Sequence, residues 1–303
     1  MTRTLLGLLT LVLAGSASLA AQWPKHPAPD VPRDDKGQVR MDAPVPRMAN
    51  GKPDLSGNWV RFRGEGGGGR GRGATPPPVD PNSPPVATFF ELGGNMPGGL
   101  PYTPWAAELR KQRDAANSKD NPDALCLPMG LTQFHMHSQP RKMMQTPNLL
   151  ALMYEANYGL RYIYTDGRPA PDNDPTPWWF GYSRGWWEGN DTLVVETTNF
   201  LGDERAGWLD VNGSPYTDAL KMTERFTRPT FGTLQIDVTI DDPKAYTRPF
   251  TVRVNQRLLV DQEMIEFICN ENERSTNHIE PPAWKKGQPP RQLGPDMPLR
   301  PVK

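Results

Sequence analysis

Three ionisable side chains fall on strand-like stretches where a core face is expected. Glu224 shares its alternation parity with Met222 and Phe226, Glu155 with Leu149, Ala151 and Met153, and Arg161 with Ile163. A carboxylate turned into a protein interior must pair with a cation or keep its proton to higher pH. Either glutamate facing Arg161 would satisfy that requirement. Inside a pocket such a pair is equipped for general acid/base catalysis; elsewhere it is a buried structural ion pair. Beside these groups lies a dense aromatic run, with Trp178, Trp179, Trp186 and Trp187 within ten residues and Phe180 and Tyr182 between them. Neighbours in an extended segment point to opposite faces, so one tryptophan of each pair faces the core and the other a ligand or solvent. Trp179, Trp187 and Tyr162 are the candidate ligand contacts, with Arg161 beside them. Arg168, in the turn tripeptide Asp166-Gly167-Arg168, either holds an anionic ligand group or bridges to Asp172 or Asp174.

Other chemistries lack the spacing they need. His135 and His137 would share a face if that segment were a strand, and methionines surround them, an arrangement conceivable for a soft metal. No third ligand can be named, so no metal and no cofactor are assigned. Gly181-Tyr182-Ser183-Arg184-Gly185 fits G-x-S-x-G, but a nucleophile elbow requires a helix directly after the serine, and Trp186-Trp187-Glu188-Gly189 does not begin one. The glycines of 64–74 are followed by no GK[ST] and do not make a phosphate loop. Lys+Arg and Asp+Glu both number 34, which argues against a nucleic-acid partner, since that function requires a basic excess.

Proline accounts for 35 of 303 residues, against a usual share of about 5%, which excludes a mostly helical bundle. One helix is signalled, from the cap Thr103 with Pro104 at its first position to about Asn117. From about residue 147 the pattern has period two. Leu149–Glu155, Tyr158–Thr165, Trp186–Glu188, Thr192–Thr198, Met222–Arg228, Thr233–Asp241, the Phe250 stretch and Gln262–Asn270 read as strands with one dry and one wet face. The expected fold is mainly β: an antiparallel barrel, with a β-sandwich as second choice, one helix and extended proline-rich arms. Residues 1–20 read as an export signal, with Arg3 before an apolar run that is too short to span a bilayer. Residues 21–55 read as an extended arm, 56–275 as a single domain carrying a Gly/Pro-rich insert at 64–86, and 276–303 as an extended tail. Export implies an oxidising compartment, periplasmic or extracellular, where Cys126 and Cys269 would form one disulfide.

Gly57-Asn58-Trp59 at a strand start resembles the G-x-W opening of lipocalin-type barrels, in which the indole closes the barrel floor. A longer ordered set comprises GKPDLSGNW at 51–59, CLPMG at 126–130, YTDGR at 164–168, DTLVVET at 191–197 and DDPKAYTRPF at 241–250. It resembles a group of exported bacterial proteins of unassigned function, and that likeness implies export and a β-rich fold without supplying catalytic residues. The leading functional reading is binding of a small amphipathic ligand, aromatic or carbohydrate, in an aromatic-lined cavity, with no membrane span once the signal is removed. The alternatives are a cofactor-independent acid/base enzyme (lyase, isomerase or hydrolase) acting through Glu155 or Glu224 with Arg161, and a structural or interaction protein.

Overall fold

The computed structural model describes residues 27–62, 83–171, 176–271, 274, 278 and 281–299. The signal at 1–20 and most of the insert at 64–86 lie outside these residues. Nine strands form a closed barrel in sequence order: β1 (Gly57–Arg61), β2 (Arg141–Thr146), β3 (Leu149–Tyr154), β4 (Leu160–Tyr164), β5 (Tyr182–Glu188), β6 (Thr192–Thr198), β7 (Lys221–Thr230), β8 (Thr233–Asp241) and β9 (Phe250–Leu259). All neighbouring pairs are antiparallel except β4 and β5, which run parallel. The alternation read in the sequence is the mechanism of closure. In β8, Leu234, Ile236, Val238 and Ile240 are buried while their neighbours are partly exposed, and β7 and β9 match them register for register. Burial of one face of each strand at roughly 25 cal/mol per Å² of apolar surface drives the sheet to curl upon itself.

Trp59 accounts for the opening motif. Its ring is fully buried, its indole N–H donates to the Leu55 carbonyl at 2.9 Å, and the Arg228 guanidinium lies over it at 4.9 Å. Arg228 in turn binds the carbonyls of Asp54 and of Phe231 in the β7–β8 turn, so the indole pins three segments together. Gly57 has φ +136°, a backbone conformation that favours glycine.

The helix at Thr103 is present as α1 (Pro104–Ala115), capped by the Thr103 hydroxyl accepting from the Ala106 N–H. A second helix, α2 (Leu131–Met136), has all six residues buried. It enters the barrel rather than covering it: Phe134 stacks on Tyr154 of β3 at 4.3 Å, and His135 meets Phe226 of β7 edge to face. Arg141 of β2 donates to the His135 carbonyl at 3.0 Å and the His137 carbonyl at 3.4 Å, capping the C-terminal end of α2. The strand geometry considered for His135 and His137 is therefore corrected to helix and cap. A helix buried all round shows no amphipathic period, which is why alternation could not reveal it.

The stretch Gln262–Asn270, expected as a final strand, joins no ladder among the described residues and ends in a turn at Cys269-Asn270. β9 is already paired with β8 and with β1, so the closed barrel offers it no edge. It runs along the outside instead, held by Asn58 donating to the Gln262 carbonyl, by Lys142 and Glu263, and by a disulfide between Cys269 and Cys126. The arms are docked. Arg33 pairs with Asp261, Arg47 with Asp191, and Arg291 of the tail with Glu204, while Leu293 is buried.

Candidate functional site

β4 is laddered to β3 along its whole length, from Leu149↔Tyr164 to Met153↔Leu160. Toward β5 it pairs only at Ile163↔Ser183 and Tyr164↔Arg184. Among the described residues no strand pairs with Leu160–Tyr162 on that side. The chain entering β5 is carried away by Gly181, whose φ is +64° and whose Cβ position is filled by the Thr198 carbonyl and the Thr197 side chain. Trp178 is anchored separately, its N–H donating to Asn199 and its carbonyl accepting from Leu201. The two segments diverge, and a cleft of about 170 Å³ opens between them.

Leu160, Tyr162, Trp178, Trp179 and Phe180 form the walls of this cleft, and Arg161 and Ser183, both buried, lie at its floor. Tyr162 is 46% and Trp178 39% exposed, too open for core residues and well placed to be covered by a ligand. Trp179 is half-buried, with its indole N–H donating to the Pro128 carbonyl at 2.8 Å. Phe180 packs edge to face on Phe134.

Below the floor Arg161 reaches across the barrel wall. Its Nε donates to Ser183 Oγ of β5 at 3.0 Å, its Nη2 to Thr197 Oγ1 of β6 at 2.8 Å, and both terminal nitrogens to the Glu224 carboxylate of β7. His135 Nε2 lies 2.7 Å from Glu224 Oε1. Burial by itself would raise the Glu224 pKa, but the Arg161 charge and the hydrogen bonds from His135 and Arg161 outweigh it and bring it to about 2. Burial pushes His135 down; Arg141 and Arg161 add to that effect, and Glu224 opposes it without prevailing. Lowered in this way, the ring favours its neutral form, with Nε2–H donating to the carboxylate and a buried Nδ1 that meets no partner among the described residues. The Tyr154 hydroxyl, beside Arg161 without a well-aligned hydrogen bond, is pushed up to about 12 by burial.

The expected residues are thus divided. Arg161, Tyr162 and Trp179 come together at the cleft, with Glu224 directly behind Arg161. The aromatic groups meet in the wall of the barrel and not in its lumen, where α2 sits. Glu155 is elsewhere: it follows β3 and accepts the Ile265 N–H at 3.1 Å. Trp187 is at a different groove, beside Thr146, Pro147 and Thr165, with the Lys52 ammonium 5.9 Å from its ring. Arg168 is held by both oxygens of Asp166 and lies over the Tyr164 ring at 3.9 Å, at the periphery of the cleft. His135 and Ser183 join the site without having been assigned to it; the sequence offered Ser183 only as the serine of a G-x-S-x-G stretch set aside for want of a helix after it. Ser183 has Arg161, not a base, as its neighbour, so it does not have the setting of a hydrolase nucleophile. Among the described residues no three His, Cys, Asp or Glu side chains are grouped to hold a metal ion. No protein-family model matches the chain, and no curated protein or solved structure shows significant similarity to it, so its function is read from its own geometry.

Proposed function

We propose that this protein binds a small flat ligand, aromatic in preference to carbohydrate, in the cleft between β4 and β5. The observation that carries the reading is the exposure of Tyr162 and Trp178 at a place where the barrel wall is unpaired, above a floor that is polar and fixed. Aromatic faces stack favourably on other rings. A sugar would need several hydrogen-bonding groups, whereas here the Arg161 donors and the Trp179 N–H are already engaged. A cavity of about 150 Å³ accepts benzene, so this cleft suits one ring with a small substituent.

Glu224 is less suited to acid/base work than to holding the wall. It retains no proton near neutral pH, its partners occupy both oxygens, and Arg161 separates it from the cleft. The proposal extends to location: a disulfide between residues 126 and 269 and the leader-like start of the sequence support action outside the cytosol.

The test is a nuclear magnetic resonance titration of the tryptophan indole resonances with substituted benzenes and, in parallel, with monosaccharides. Shifts of the Trp178 and Trp179 signals with the benzenes are expected, saturating at roughly tenfold higher concentration in Tyr162→Ala. Shifts only with sugars, or with neither class, would overturn the assignment.

A further inference from the structure

The hydrogen-bond arithmetic at the cleft floor goes further than shape. Ser183 Oγ and Thr197 Oγ1 each accept one N–H from Arg161 and lie 3.0 Å apart. The two hydroxyls carry two protons. One proton occupies the bond between them. Among the described residues neither oxygen makes a hydrogen bond to any other acceptor. Thr197 is fully buried, while Ser183 borders the cleft. A spare proton on Thr197 would be buried without an acceptor, at a cost that native structures avoid. The favourable assignment is Thr197 donating to Ser183, which leaves the Ser183 proton free to point into the cleft.

We propose that Ser183 is the specificity-determining donor of the cleft, selecting aromatic ligands that carry an oxygen acceptor, carbonyl or carboxylate, at the end that enters first. Ser183 accepts from both Arg161 and Thr197. Two incoming donors polarise the hydroxyl and make its remaining proton a stronger donor, as in any cooperative chain. Ser183 is fixed in the wall, in register with Ile163 of β4 on one side and with Thr197 of β6 on the other. The inference rests on the aromatic-cleft reading and adds the chemical identity of the ligand's inner end.

The experiment compares two ring-matched probes, acetophenone and ethylbenzene, which differ in replacing a carbonyl by a methylene. Affinities are measured by titrating the Trp178 and Trp179 indole signals of the full chain. The wild type is expected to bind acetophenone more tightly by roughly three- to tenfold, the range of one net hydrogen bond. Ser183→Ala is expected to bring that ratio to about one while ethylbenzene still binds, and Ser183→Thr to restore the preference. Where the alanine variant does not fold, Ser183→Cys keeps the volume with a weak donor and should lose the preference equally. Equal binding of both probes by the wild type would overturn the role of Ser183 and leave the aromatic cleft standing. A preference that survives in Ser183→Ala or Ser183→Cys would overturn it as well. Binding of neither probe would overturn both.

Discussion

Two seams of the barrel, β9–β1 and β4–β5, are built in opposite ways. Between β9 and β1 the strands are antiparallel, with four consecutive residue pairs from Asn58↔Leu259 to Arg61↔Gln256. Behind them sits a buried indole. Between β4 and β5 the strands are parallel, with two pairs, and behind them sits a charged network. The first seam is sealed by backbone hydrogen bonds and apolar volume. The second is held by one guanidinium, whose bonds run from β4 to β5, β6 and β7 in place of the missing ladder. A wall built that way is closed on its inner side and open on its outer side, and the opening is where exposed aromatic side chains collect.

Cutting the clamp should have the largest effect. Glu224→Ala leaves Arg161 buried without its counter-charge, and removing one partner of a buried pair costs about 3–5 kcal/mol. Urea denaturation should show that loss. A change below about 1 kcal/mol would mean that the seam is held by something other than this pair. Hydrogen exchange sharpens the contrast: protection should fall first at Ile163–Tyr164 and last at Asn58–Arg61.

Next in size is the disulfide. Cys126→Ser with Cys269→Ser frees the segment that lies outside β1–β3, and the cross-link should be worth about 2–4 kcal/mol in thermal or chemical unfolding. Aromatic-probe affinity should change little, because the bond lies outside the cleft lining.

Acid should weaken the clamped seam in two steps. Folded His135 resists protonation, so below its ordinary value of 6.5 the unfolded chain binds more protons and stability falls with falling pH. His137, also pushed down by burial, adds to the same window. Below 4.5 the unfolded Glu224 takes up a proton that the folded one, held at about 2, refuses, and stability falls again. Each fully titrating proton contributes at most about 1.4 kcal/mol per pH unit. Urea midpoints against pH should show a shallower decline between pH 7 and 5 in His135→Gln than in the wild type. An identical slope would remove His135 from the account.

The smallest effect on stability is expected at the cleft rim. Tyr162→Ala and Trp178→Ala remove partly exposed rings, so stability should change by less than about 1 kcal/mol. Affinity for a substituted benzene should nevertheless fall by roughly tenfold, as for the loss of one aromatic stacking contact. Trp187→Ala, at the other groove, should leave that affinity unchanged.

Local chemistry was enough to read much of this molecule from its residues. Alternation in 221–259 specified strands with one buried face, because a period of two is a local property of extended chain. Thr103-Pro104 marked a helix start, and the parity of Glu224 and Arg161 placed both on inward faces. What alternation could not contain was partnership. Whether Glu155 or Glu224 meets Arg161 depends on which strands become neighbours, and β4 was followed by β5 in parallel through a connection that no local signal predicted. The helix carrying His135 lies within a barrel that must close before it can be buried, and Gln262–Asn270 lost its place in the sheet because closure left no edge. Sequence set the face on which each side chain lies; only the closed barrel decided which faces meet, because closure fixes every strand's neighbours at once.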